Sequence, residues 1–154
     1  MARKIQVRRS GVHGKGVFAA QDIPKGTRIL EYRGELITDA EADRRHPTNP
    51  DDPFHTFFFS LSDGDLCIDG GSNGNAARWI NHRCAPNCET EEIVNARGRT
   101  QVFIYARRDI RVGEELNYDY RLHQSGRITR QDKLNYRCLC GARSCRGTML
   151  WLEK

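Results

Sequence analysis

The chain has 154 residues, 38% of them apolar and 29% charged, with a net charge of +5. That length suits one domain that buries a core without disulfides. No apolar run approaches the roughly 20 residues needed to span a bilayer, so a membrane protein is excluded. Nor does an apolar run follow the charged start Met1-Ala2-Arg3-Lys4. No secretory signal is therefore expected, and the protein is expected inside the cell.

The charge is uneven. Residues 121–146 carry Arg121, Arg127, Arg130, Lys133, Arg137, Arg143 and Arg146 against Asp132 alone, whereas Asp39, Glu41, Asp43, Asp51 and Asp52 form an acidic stretch. A basic segment of this kind suits nucleic acid, an acidic partner or water.

In chain order the pattern is one of short strands punctuated by glycine. Val17–Ala19, Arg28–Tyr32, Phe57–Phe59, Leu66–Ile68, Glu92–Val94 and Gln101–Tyr105 read as strands. Asn95–Arg99 is a hairpin-length turn with glycine where a positive φ is needed, and Asp63-Gly64 is a second hairpin signal. A short helix starts after Thr38 as N-cap and ends at His46-Pro47. Residues 19–26 and 106–113 share a pattern ending in Asp-Ile-x-x-Gly, which predicts one turn used twice. Residues 121–137 are polar and basic and read as a linker.

Four segments carry chemistry. Gly11–Phe18 has glycines dense enough for a backbone to approach a ligand closely, but not at phosphate-loop spacing. Gly74–Cys88 is rich in Asn, Gly, Cys and His and reads as a hydrogen-bonding loop with a metal-capable thiol. Gly113–Tyr120 places Tyr118 and Tyr120 two apart, so on a strand both rings face one side. Cys138, Cys140 and Cys145 set three thiols around a glycine turn, enough to wrap a tetrahedral ion. Without a signal peptide, metal binding outweighs disulfides. A closed structural site needs a fourth ligand, for which Cys84 and Cys88 are the candidates.

Taken together and in order, these segments resemble the SET family of protein lysine methyltransferases. Gly14-Lys15-Gly16-Val17-Phe18 matches the first motif, and Glu31-Tyr32-Arg33-Gly34-Glu35 the strand that follows it. Arg78–Cys88 matches the Asn-His-x-Cys-x-Pro-Asn signature, Gly113–Tyr120 the ending with two tyrosines, and the C-x-C-x4-C tail the post-SET segment. The resemblance implies a mainly β fold of several small curved sheets, few short helices, a knot-like C-terminal crossing and a zinc-stapled tail. It divides the chain into a SET domain at 1–122 with an insert near 38–56, a linker at 123–133 and a post-SET segment at 134–154.

The same resemblance implies S-adenosylmethionine as co-substrate and one structural zinc held by Cys84, Cys138, Cys140 and Cys145. It assigns the cofactor to His13, Gly14, Lys15, Gly16, Val17, His55, Arg78, Asn81, His82, Tyr120 and Leu139, with Leu139 on the adenine. Tyr120 becomes the essential phenol. Tyr118 occupies the position that governs methylation degree, and a tyrosine there implies mono- or dimethylation. His55 aligns near a place where relatives supply a tyrosine, while Phe57–Phe59 read as strand core. Arg83 stands where the family has Ser, and Trp79 where it has Phe or Tyr.

A lysine-bearing basic protein such as a histone is the implied substrate, because the acidic insert lines the peptide groove in relatives. The basic tail adds a nucleic-acid contact. No cysteine-rich segment precedes Gly11, so contacts made through one are expected to be absent. A monomer is expected, in the nucleus on chromatin if the source is eukaryotic and in the cytoplasm if bacterial. The competing readings are an inactive SET-like module that binds a lysine-bearing peptide or nucleosome, and a small zinc-dependent nucleic-acid binder.

Overall fold

The computed structural model describes residues 3–46, 57–62, 64–122 and 126–152. The expectations for His55 and for Asp51, Asp52 and Asp63 lie outside the described residues. In chain order the strands are β1 Ile5–Arg9, β2 Lys15–Ala19, β3 Arg28–Glu31, β4 Glu35–Thr38, β5 Phe58–Ser60, β6 Leu66–Asp69, β7 Asn81–His82, β8 Cys88–Val94, β9 Thr100–Ala106 and β10 Asn117–Tyr118. The helices are α1 Asp39–Arg45 and α2 Arg130–Asn135, with a 3-10 turn at Ala76–Trp79. The strands form small sheets ordered β1-β2, β10-β7, β3-β9-β8 and β4-β6-β5. The expected mainly β architecture with few short helices is what the chain adopts. No helix among the described residues is long and apolar enough to cross a membrane.

Two compact units are distinguished. The second unit comprises Arg28–Arg78 and Thr90–Ile104. Here β6 pairs antiparallel with both β4 and β5, with Phe59 opposite Ile68. The expected strand at Phe57–Phe59 therefore begins one residue later. Thr38 caps α1 by accepting from the Glu41 N–H at 3.1 Å, and the helix buries Ala42 against Ile37 and Cys67. Arg45 fixes its C-terminal end, donating to Glu35 at 3.1 Å and to Asp69 at 2.9 Å. The Asn95–Arg99 turn closes as expected: the Asn95 N–H donates to Arg99 O at 2.9 Å, and Gly98 sits at φ +76.

The first unit comprises Met1–Thr27, Trp79–Glu89 and Tyr105–Lys154. Its frame is the repeated turn, and the two copies pair with each other. Ile23 and Ile110 exchange both backbone hydrogen bonds, at 2.7 and 2.8 Å. Asp22 accepts from the Val112 N–H at 2.9 Å, and Asp109 accepts from the Lys25 N–H at 2.8 Å. Each aspartate thus caps the other copy's turn. Both isoleucines are buried.

The C-terminal crossing is a short parallel pairing, with Asn117 beside Asn81 and Tyr118 beside His82. Asn87 and Asn117 lock it reciprocally. The Asn87 N–H donates to the Asn117 side-chain oxygen at 2.8 Å, and the Asn117 N–H donates to the Asn87 side-chain oxygen at 2.9 Å. Asn87 Nδ2 donates onward to Glu115 O at 2.8 Å. Asn87 is 1% exposed, so water cannot replace these bonds. Asn87→Ala is therefore expected to cost about 3 kcal/mol, given about 1–3 kcal/mol for each buried group left unsatisfied. Urea denaturation checks this as a lowered midpoint with an unchanged slope.

The segment read as a linker contains a helix. Thr129 and Asp132 form a reciprocal capping box at the start of α2, with the Asp132 N–H donating to Thr129 Oγ1 at 3.1 Å and the Thr129 N–H to Asp132 Oδ2 at 2.9 Å. Beyond α2 the tail folds back on itself. Arg137 bridges to Thr148, and Leu122 bridges to Leu150, which is 2% exposed.

Candidate active site

The candidate site is built in the first unit around β7, β10 and the turn before β2. Asn81 is its hub. Its Nδ2 donates to His13 O at 3.2 Å, to Lys15 O at 3.0 Å and to Glu115 Oε2 at 2.8 Å. Ser10 Oγ bonds the same carboxylate at 2.8 and 2.9 Å. Glu115 thus holds both ends of the loop that Asn81 pins from within. Gly16 makes the arrangement possible, because a Cβ there would lie 2.4 Å from Glu115 Oε2. His13, Gly14 and Lys15 are exposed and Gly16 and Val17 buried, so the loop turns its outer backbone to solvent. Lys15 Nζ sits 4.9 Å from the Trp79 ring centroid, where the larger indole gives the ammonium a face. The remaining expected cofactor residue, Arg78, lies half-buried in the 3-10 turn of the second unit.

The two tyrosines do share a side, with ring centroids 5.0 Å apart. The Tyr120 hydroxyl donates to the carbonyl of Ile80. Burial pushes both phenols up in pKa, and for Tyr120 the neighbouring Tyr118 and Glu115 add to the effect. Tyr120 is therefore a neutral hydroxyl across the physiological range, a donor and acceptor but not an anion.

His82 is buried beside them. Its Nδ1 accepts from the Tyr120 N–H at 3.0 Å, and its Nε2 lies 3.3 Å from Cys84 Sγ. Burial holds its pKa near 4; Asp119 opposes the shift and Arg146 reinforces it. The ring is thus a neutral imidazole at neutral pH.

The sulfurs of Cys84, Cys138, Cys140 and Cys145 all lie within 4.8 Å of one another. Cys84 and Cys138 are 3.8 Å apart, close to the edge of about 3.8 Å for a tetrahedron with Zn–S bonds of about 2.3 Å. Backbone N–H groups of Cys140, Arg146 and Gly147 point at Cys138, Cys84 and Cys145, each at 3.4 Å, as suits thiolate acceptors. The four sulfurs fit one closed, structural zinc. Cys88 is set apart: it is 1% exposed at the start of β8, and burial raises its thiol to about 12. Leu139, between two of the ligands, is 61% exposed.

The structure gives roles to three further residues, Arg146, Glu115 and Ser10. Arg146 clamps Asp119 through two bonds, at 2.7 and 3.1 Å, tying the cysteine tail to the residue between the two tyrosines. It is therefore not a free member of the basic tail. Glu115 and Ser10 complete the loop network described above.

The chain is also similar to known proteins in sequence and fold. Residues 14–121 match the family described as SET domain. Over 138 residues, 90% of this chain, the sequence is 40% identical to the histone-lysine N-methyltransferase, H3 lysine-4 specific, of Schizosaccharomyces pombe. Over 142 residues, 92% of this chain, it is 37% identical to the histone-lysine N-methyltransferase trithorax of Drosophila melanogaster. The matched regions make up 14% and 4% of those relatives, so the chain spans a small part of their length. A solved structure, ctPRC2 in an autoinhibited conformation bound to S-adenosylmethionine, is similar with a TM-score of 0.68 at 30% identity. That likeness covers 78% of this chain and 15% of the other.

Proposed function

The chain belongs to the SET domain family, and on that premise we propose that it transfers a methyl group from S-adenosylmethionine to a lysine amine in a basic, histone-like protein. The observation that carries this reading is the close tyrosine pair, Tyr118 buried and Tyr120 half-buried, with the Tyr120 hydroxyl anchored on Ile80 O beside the Asn81-pinned loop.

The loop Gly14–Val17, with His13, Asn81, His82 and Leu139, would hold the co-substrate, whose sulfonium supplies an activated methyl group. The protein's part is alignment. A free lysine has a pKa near about 10.4, so the site must favour the neutral amine. The buried Tyr118 ring supports this, since an apolar neighbourhood disfavours the ammonium. Neutral Tyr120 accepts from the amine while its own hydrogen stays on Ile80 O, which aims the lone pair. The amine nitrogen then bonds to the methyl carbon as the carbon–sulfur bond breaks, its electron pair staying on sulfur. One amine proton leaves to solvent. The zinc stays out of this chemistry, because four thiolates leave no open coordination position.

Tyr118 limits how many methyls fit. Its hydroxyl occupies space and offers a hydrogen bond to the amine, which favours mono- and dimethyl products. Tyr118→Phe is expected to shift the products toward higher methylation, read by mass spectrometry of the substrate. An unchanged product distribution would contradict that role. Asp39, Glu41 and Asp43 on and beside α1 support a basic peptide as substrate, and relatives named for histone H3 lysine-4 support a histone. For a eukaryotic source these relatives support a nuclear location on chromatin.

The test is methyl transfer from labelled S-adenosylmethionine over core histones, ribosomal proteins and acidic control proteins. Labelling of the basic proteins alone is expected, and equal labelling of the acidic ones contradicts the substrate class.

A further inference from the structure

We infer that His82 is a positioning residue whose imidazole joins the four-thiol centre to the Tyr120 phenol, holding Cys84 with one ring nitrogen and the Tyr120 backbone with the other. The inference rests on the methyl-transfer reading only for its activity arm. The structural arm stands on hydrogen bonds alone.

A backbone N–H can only donate, so the Tyr120 N–H at 3.0 Å requires Nδ1 to be an acceptor. The hydrogen of the neutral ring then sits on Nε2. Nε2 faces Cys84 Sγ at 3.3 Å, which makes that contact an N–H donating to sulfur. The other tautomer is disfavoured. It would aim a ring N–H at the Tyr120 N–H, and its alternative acceptor, Asp119 Oδ1, lies 3.6 Å away. The Asp119 carboxylate is already taken by Arg146 and by the Arg121 N–H at 3.0 Å.

The His82 side chain is 2% exposed, so water cannot stand in for either bond. The ring also packs edge-on against Tyr120, with centroids 5.3 Å apart. Cys84 receives a second N–H from Arg146, at 3.4 Å, and that residue's guanidinium holds Asp119. Two struts therefore run from one thiolate to the segment after β10 that carries the phenol: one through His82 to residue 120, the other through Arg146 to residue 119. Partners outside the ligand shell orient metal ligands, and their loss costs about 10–100-fold in metal affinity. Here the same partner also fixes where the Tyr120 backbone lies, so zinc retention and phenol placement share one side chain.

The two halves separate by substitution. In His82→Asn the side-chain carbonyl stands near Nδ1 and still accepts from the Tyr120 N–H, but nothing reaches Cys84. In His82→Gln the side-chain amide reaches toward the Nε2 position and still donates to sulfur, but the acceptor for Tyr120 is lost. With zinc-loaded protein, transfer of zinc to a chromophoric chelator should be about 10–100-fold easier for His82→Asn and within about threefold of the parent for His82→Gln. Amide hydrogen exchange at Tyr120 should accelerate in His82→Gln and not in His82→Asn. Methyl transfer should fall in His82→Gln in kcat. Equal zinc retention in both variants, or equal loss in both, would overturn the inference, because the ring would then only fill space.

The parent protein gives a version that no folding defect can obscure. Nitrogen-15 histidine spectra of the zinc-loaded protein should show the His82 hydrogen on Nε2, and cadmium-113 substitution should show coupling from the metal to that hydrogen across the sulfur. A hydrogen on Nδ1 would overturn the assignment. These readouts do not require methyl transfer, so failure of the proposed function and failure of this inference are distinguishable.

Discussion

Tyr120→Phe is expected to lower the rate of methyl transfer about 10²–10³-fold while leaving a folded, zinc-containing protein. The range is that for removing one prearranged polar group from a water-excluded site. The hydroxyl's hydrogen is committed to Ile80 O and its pKa is pushed well up, so its role is to hold and orient rather than to exchange a proton. Phenylalanine keeps the ring packing on Tyr118 and His82 but leaves the Ile80 carbonyl without this donor, at about 1–3 kcal/mol of stability. Stopped-flow or quench measurements at saturating S-adenosylmethionine, together with a melting curve, separate the two effects. Activity within a few-fold of the parent would remove Tyr120 from the reaction.

Removal of the metal is expected to have the larger structural effect. Binding by zinc-finger peptides releases about 10–16 kcal/mol, and in small metal sites this energy is folding energy. Residues 137–152 contain no helix or strand and are joined by isolated bridges such as Arg137–Thr148, so the thiolates carry much of their order. Chelation or Cys138→Ser should release zinc, expose the tail to proteolysis after α2 and abolish activity. Because Arg146 and His82 run from Cys84 to Asp119 and Tyr120, the loss should spread to the tyrosine segment rather than stay in the tail. Cys88→Ser should retain one zinc per chain, since that thiol is buried away from the cluster. Metal analysis before and after chelation reads both outcomes.

The cluster was legible because three of its thiols are close in sequence, and the resemblance chose Cys84 over Cys88 as the fourth. The four sulfurs, all within 4.8 Å of one another, agree with that choice. The Asn-His loop and the tyrosine ending were legible as polar and aromatic patterns, and so was the repeated turn, although not that its copies grip each other through Asp22 and Asp109. What escaped sequence reading is non-local. Ser10 and Glu115 are 105 residues apart, and Arg146 and Asp119 are 27 apart. A single serine or charge carries no pattern that announces such a partner. Strands β7 and β10 have two residues each, too few for any alternation to show. Helix α2 escaped because it buries no residue and so presents no apolar stripe, although its Thr129–Asp132 capping box can be read from the sequence.

Lysine methylation itself is tested most directly by the chemical identity of the product. The zinc-loaded protein is incubated with methyl-labelled S-adenosylmethionine and core histones, and the labelled histone is hydrolysed to amino acids and separated. Label in methyl-lysines, absent with Tyr120→Phe, is the predicted result. Label in another amino acid, or equal labelling by the parent protein and Tyr120→Phe, would contradict it.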